Sequence, residues 1–133
     1  MVKVLVVDDT EFFQKLYADE LAKAGFEVEV ASDGYECLEK MRKSNPRLVF
    51  MDIVMPKRDG METLADIKAD SALKNIPVVM LTSLSAEAKG EDSLLQGAVA
   101  YLVKTAASPE DVVKKAEEIL GTSEAPLDPR KTP

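Results

Sequence analysis

Leu48-Val49-Phe50-Met51-Asp52-Ile53-Val54-Met55-Pro56 is the stretch whose reading decides the fold. A short apolar run rich in strand formers ends on one carboxylate, Asp52, and Pro56 then closes regular structure. In an α/β protein such a run is a strand buried on both faces. Its carboxyl end is where open parallel sheets bind ligands. Taken alone, Asp52 reads equally well as a residue that starts a turn. What gathers beside it decides between the two.

Toward the N-terminus, residues 2–7 are nearly all apolar and read as a buried first strand. Asp8-Asp9-Thr10 follows and supplies N-cap oxygens for a helix over residues 11–24. Phe13, Leu16, Tyr17, Leu21 and Ala24 fall at helical spacing there, and Gly25 ends it. Residues 27–31 alternate, with Val28 and Val30 inward, as an edge strand does. Asp33 and Glu36 form a capping-box-like pair for a helix with Cys37, Leu38 and Met41 that stops before Asn45-Pro46.

Toward the C-terminus, Lys57-Arg58-Asp59-Gly60 signals a turn before a helix bearing Met61, Leu64 and Ile67. Residues 76–81 make another apolar strand, ending at Thr82-Ser83. Residues 85–96 predict a weaker helix, interrupted by Gly90, with Leu94 and Leu95 as its strong anchors. So thin an anchorage makes this segment the expected place for motion. A last strand over 99–103 runs into Lys104-Thr105, and Ser108-Pro109-Glu110-Asp111 opens the final helix. Val112, Val113, Ala116, Ile119 and Leu120 form its apolar face. Five strands alternating with five helices predict an α/β fold with a doubly wound parallel sheet covered on both faces. Residues 1–121 form the expected domain. Residues 122–133 hold three prolines and no periodicity, which predicts a disordered tail or the start of a linker.

Composition narrows the function. At 133 residues the chain is large enough for one hydrophobic core, and 46% hydrophobic with 31% charged residues fits a globular protein. No apolar run nears the ~20 residues that span a bilayer, and the first strand meets Asp8 too soon for a signal peptide. The expectation is a soluble, cytoplasmic protein. A net charge of −7 argues against a nucleic-acid surface. The single cysteine, Cys37, reads as core packing. There is no histidine, which removes the usual proton shuttle and the commonest transition-metal ligand.

The polar residues that end the strands are Asp8 and Asp9, Asp52, Thr82 and Lys104, and a parallel sheet brings all these ends to one edge. Three carboxylates in one pocket repel one another, and a hard divalent cation resolves that repulsion. Mg²⁺ suits the site because it takes oxygen ligands and keeps places for water and phosphate; Mn²⁺ is the substitute. Metal, lysine and hydroxyl together are what a transferring phosphoryl group needs. The nucleophile is then a carboxylate able to form an acyl phosphate, and Asp52 is the most central.

With these residues in view, the chain resembles the receiver domain of bacterial two-component response regulators, especially the single-domain chemotaxis type. The resemblance covers residues 2–121 and rests on Val4-Leu5-Val6-Val7-Asp8-Asp9, Met51-Asp52, Met55-Pro56, Asp59-Gly60, Leu81-Thr82, Gly97-Ala98 and Tyr101-Leu102-Val103-Lys104. It implies a flavodoxin-like (βα)5 fold with strand order 2-1-3-4-5. Asp52 would be the phosphoacceptor for a histidine kinase or phosphotransfer protein. Asp9 and Asp52 would ligate Mg²⁺ directly, Asp8 largely through water, and the backbone carbonyl of Val54 would complete the set. Lys104 and Thr82 would bind the phosphoryl group, and Tyr101 would turn inward as Thr82 moves. The surface of the fourth helix, fifth strand and fifth helix would then engage a downstream protein. The chain would act as a switch rather than a classical enzyme, as a monomer or weak dimer, without contacting nucleic acid or membrane.

Two positions depart from the family pattern. Thr105 stands where proline usually follows the site lysine, which bears on the loop and its peptide isomer. Val54 stands where relatives tune loss of the phosphoryl group, so slow autodephosphorylation is expected. Three other functions compete with this reading, and of them only the last survives. An aspartate-nucleophile phosphohydrolase commonly needs an acid two residues after its nucleophile, where this chain has Val54. A flavin module needs a phosphate-cradling loop where Asp8-Asp9 would repel phosphate. A docking module that is never phosphorylated would share the same pocket.

Overall fold

The computed structural model describes residues 2–83, 87–104 and 106–121, with no side-chain description at Glu87. Five strands and five helices alternate: β1 (Lys3–Val7), α1 (Glu11–Lys23), β2 (Glu27–Ala31), α2 (Gly34–Ser44), β3 (Leu48–Asp52), α3 (Gly60–Ala69), β4 (Val78–Thr82), α4 (Glu87–Leu95), β5 (Ala100–Val103) and α5 (Pro109–Leu120). All strand pairs are parallel, in the order β2-β1-β3-β4-β5. The chain leaves β1 in one direction to make β2 and returns on the other side to make β3. The carboxyl ends of β1 and β3 therefore flank the point where the winding reverses, where an open α/β sheet forms a crevice.

Strand alternation divides the core in two. Leu5, Val7, Val49, Met51, Val78 and Met80 face Cys37, Met41, Leu64 and Ile67 of α2 and α3. Val4, Val6, Leu48, Phe50, Val79 and Leu81 face Tyr17 and Leu21 of α1 and Val112, Ala116 and Leu120 of α5. The central strands β3 and β4 are buried along their whole length, so both faces must be apolar. Cys37 is buried, and burial pushes its thiol up to about 12, so it packs and does not react.

Several local details differ from expectation. β4 begins at Val78 rather than at residue 76, because the Ile76 amide donates to Leu73 in a turn and Pro77 has no amide to offer. Thr10 is the N-cap of α1 but makes no side-chain cap bond. The Glu36 carboxylate accepts from the Ser32 amide, one residue before the expected Asp33, while Asp33 accepts from the Glu36 amide. A reciprocal capping box occurs instead at α3, between Asp59 and Glu62.

The largest correction concerns α4. Leu94 and Leu95 do not anchor it: both are exposed, Leu95 at 89%. The residues of α4 described as buried are Gly90 and Ser93. Gly90 lies so close to Tyr101 that a Cβ there would stand 2.7 Å from the ring. The glycine read as an interruption is the contact surface. The expected tail at 122–133 lies outside the described residues, as does the peptide between Lys104 and Thr105.

Candidate functional site

Asp8 leaves the end of β1 fully buried. Its Oδ1 accepts from the Thr10 amide at 2.9 Å, and its Oδ2 accepts from Lys104 Nζ at 2.7 Å. Asp52 closes β3 at 8% exposure. Its Oδ2 accepts from Lys104 Nζ at 3.3 Å, and its Oδ1 from the Val54 amide at 3.3 Å. Asp9 is exposed, yet carboxylate oxygens of Asp8, Asp9 and Asp52 all lie within 4.8 Å of one another. Three formal negative charges thus face one ammonium whose side chain is only 10% exposed.

Burial of the pocket shows in the protonation of Asp52. Burial first, and then the neighbouring Asp8, push its carboxyl up to about 6, although Lys104 and the Val54 amide act in the opposite direction. Burial, together with the charges of Asp8 and Asp52, also raises the Tyr17 hydroxyl to about 12. An acid cluster that one lysine cannot neutralise is suited to a hard divalent cation. The donors are carboxylate oxygens on a buried rim with solvent on the Asp9 side. The residues fit Mg²⁺, which the receiver family typically binds.

Thr82 ends β4 and is fully buried. Its hydroxyl donates to the Ser83 carbonyl at 3.2 Å, and its own carbonyl accepts from the Lys104 amide at 2.7 Å. Tyr101 is associated with α4: its ring lies against Gly90 and its hydroxyl donates to Glu91 Oε1 at 2.7 Å. Val54 is 57% exposed beside the acids. Asp8, Asp9, Asp52 and Lys104 therefore come together, Thr82 joins them through the backbone, and Tyr101 is engaged with α4.

Two supports escaped sequence reading. Gln14 on α1 donates from Nε2 to the Asp8 carbonyl at 2.6 Å and to Ser32 Oγ at 3.1 Å, which fixes the turn after β1. The loop carrying Val54 is pinned by α2: the Gly34 amide donates to the Arg58 carbonyl at 3.1 Å, and Lys57 pairs with Asp33 at 3.6 Å. A Cβ on Gly34 would stand 2.7 Å from the Arg58 carbonyl oxygen and 2.0 Å from Thr63 Oγ1, so only glycine permits this approach. An Asp-Gly pair is an ordinary turn signal, and nothing local marks it as a contact.

Among the described residues no helix is long and apolar enough to cross a membrane. The family model for the response regulator receiver domain matches residues 4–117. Protein PilG of Pseudomonas aeruginosa is 37% identical over 127 residues, covering 93% of this chain and 86% of PilG. The alkaline phosphatase synthesis transcriptional regulatory protein PhoP of Bacillus subtilis is 35% identical over 122 residues, covering 92% of this chain and 50% of PhoP. The chain thus spans half of PhoP and most of PilG. The structure of the chemotaxis response regulator CheY4 of Vibrio cholerae superposes with a TM-score of 0.82 at 34% identity, over 90% of this chain and 99% of CheY4. The parallel order, the acid pocket and these likenesses agree: the chain belongs to the response regulator receiver domains of two-component systems, with a flavodoxin-like fold.

Proposed function

We propose that Asp52 accepts a phosphoryl group from a histidine kinase or phosphotransfer protein and that the acyl phosphate is the signal. Receiver domains as a family take phosphate from histidine kinases and act on downstream targets. The observation that carries the reading here is the convergence of Asp8, Asp9 and Asp52 within 4.8 Å around an ammonium bonded to two of them. In the transfer, an Asp52 oxygen attacks phosphorus, the bond from phosphorus to the donor's imidazole nitrogen breaks, and the imidazole leaves with the electron pair. Asp9, Asp52, Asp8 through water and the Val54 carbonyl would hold Mg²⁺, or Mn²⁺ in its place. Such a cation supplies positive charge for the phosphoryl oxygens. Lys104 offers a second positive charge, and the Thr82 hydroxyl can exchange the Ser83 carbonyl for a phosphoryl oxygen.

The readout follows from what holds α4. Once Thr82 moves, Tyr101 would leave Gly90 and Glu91, and the α4/β5/α5 surface would change shape for a protein partner. The proposal includes residues 1–121 as the signalling domain, a monomer or weak dimer, and a cytoplasmic location with no nucleic-acid contact by this chain. The direct test is incubation with a small acyl phosphate, with and without Mg²⁺, followed by mass-spectrometric mapping. A Mg²⁺-dependent adduct on Asp52, absent in Asp52→Ala, is the expected result. No adduct under any condition would instead favour a docking module that works without phosphorylation.

Val54 adds a second expectation. Its apolar side chain is exposed beside Asp52 and cannot orient an attacking water. Val54→Asn should shorten the lifetime of the acyl phosphate several-fold. Decay followed after donor removal checks this, and equal lifetimes would remove Val54 from the account.

A further inference from the structure

The site lysine has a third contact, with an aromatic ring. Lys104 Nζ lies 3.9 Å from the centroid of Phe13, a residue in the first turn of α1. Its other two partners are Asp8 Oδ2 at 2.7 Å and Asp52 Oδ2 at 3.3 Å. An ammonium has three N–H groups, and with two directed at carboxylates the remaining side of the charge faces the electron-rich ring. The ring is itself braced, with Phe12 edge-on at 5.2 Å and Tyr17 stacked at 5.8 Å. Tyr17 is buried in the core between the sheet and α1.

We propose that Phe13 is a positioning residue for Lys104: its ring face holds the ammonium over the acid pocket, where phosphoryl oxygens arrive. The inference deepens the phosphoacceptor reading and rests on it. A half-buried apolar residue on α1 would by itself be ordinary packing, which leucine could supply. The ring face is what leucine lacks. A cation over an aromatic face is attracted by the ring's electron density, and more strongly as water is excluded. Without that attraction, the ammonium is held by Asp8 and Asp52 alone, and a cation that binds the same carboxylates can displace it toward solvent.

The consequence has a sign that separates it from simple damage. Lys104 and a divalent cation draw on the same carboxylates, Asp8 and Asp52. Loosening the lysine therefore slows phosphoryl uptake while leaving cation affinity equal or higher. A general disturbance of α1 would weaken both together.

The test uses the full chain as Phe13→Leu and Phe13→Tyr, the second keeping the ring face. At saturating Mg²⁺ and with a small acyl phosphate as donor, Phe13→Leu should take up phosphate roughly 3- to 10-fold more slowly than the parent. Phe13→Tyr should restore most of the rate, and calorimetric Mg²⁺ binding by Phe13→Leu should be as tight as the parent's or tighter. Equal rates in all three proteins overturn the proposal, as does a joint loss of rate and Mg²⁺ affinity in Phe13→Leu. A lysine-methylene NMR measurement needs no turnover. The Lys104 ε-methylene protons should lie upfield in the parent because of the ring above them, and return to the ordinary position in Phe13→Leu. An ordinary shift in the parent overturns the contact. An upfield shift in a parent that takes no phosphate supports the contact and overturns the phosphoacceptor reading instead.

Discussion

Gly60→Ala is expected to cost about 3 kcal/mol of stability, because the added methyl meets backbone on two sides. Gly60 opens α3, and its amide donates to the Ile53 carbonyl at 2.7 Å. A Cβ at this position would stand 2.3 Å from the Asp52 carbonyl oxygen and 2.8 Å from Ile53 Cα. A flexible side chain could step aside from such a contact, but a strand end and the loop it feeds cannot. The start of α3 must therefore move, which strains the loop that joins it to Asp52 and carries Val54. For a domain of this size the unfolding midpoint should fall by roughly 10 °C. Mg²⁺ binding should weaken in the same variant. Thermal unfolding and a Mg²⁺ titration check both, and a midpoint matching the parent's would show that the approach is looser than these distances require.

Lys104→Met should produce a comparable loss that depends on pH. Taking one partner from a buried ionic cluster costs about 3–5 kcal/mol, because the carboxylates left behind keep their desolvation penalty. Here Asp8 and Asp52 lose the ammonium between them. The sign follows from Asp52, whose carboxyl is pushed up to about 6 by burial and then by Asp8. An acid whose pKa rises on folding contributes its stability below the unfolded value and loses it as pH rises through the folded one. For the metal-free parent this decline, completed above pH 6, is at most about 3 kcal/mol, at 1.36 kcal/mol per pKa unit. Lys104 is one of the influences holding that carboxyl down, so its removal carries the titration higher. The Lys104→Met deficit should be largest near pH 8, shrink toward pH 5, and be reduced at pH 8 by Mg²⁺, which stabilises by binding the folded state. Urea unfolding at the two pH values, with and without Mg²⁺, checks this. A deficit of equal size at both would mean that lost packing of the lysine stem outweighs the unpaired charges.

Much of the site was legible because it follows from local pattern plus one topological rule. Apolar runs mark the strands, and each of β1, β3, β4 and β5 is followed by or ends in a polar residue; parallel pairing then brings Asp8, Asp52, Thr82 and Lys104 to one edge. Periodicity failed at α4 for a definite reason. Counting apolar residues picks out Leu94 and Leu95, yet the helix turns Gly90 and Ser93 inward because Tyr101 occupies the space a larger residue would need. Propensity marks Gly90 as a weak point, and only the neighbouring ring makes it a fit. The pinning of the Val54 loop by Gly34 was hidden in the same way, since a missing Cβ is silent until its neighbour is known.

By itself the sequence determined the alternation of strands and helices, the carboxyl edge as the site, and the residue types gathered there. Each of these depends on turn chemistry, side-chain period and the common direction of parallel strands. Tertiary structure alone decided which charges touch. Lys104 reaches Asp8 across 96 positions and Asp52 across 52, and the Phe13 ring takes the remaining side of the same ammonium. Such contacts depend on where side chains of distant segments point after packing, and a linear pattern carries no term for that.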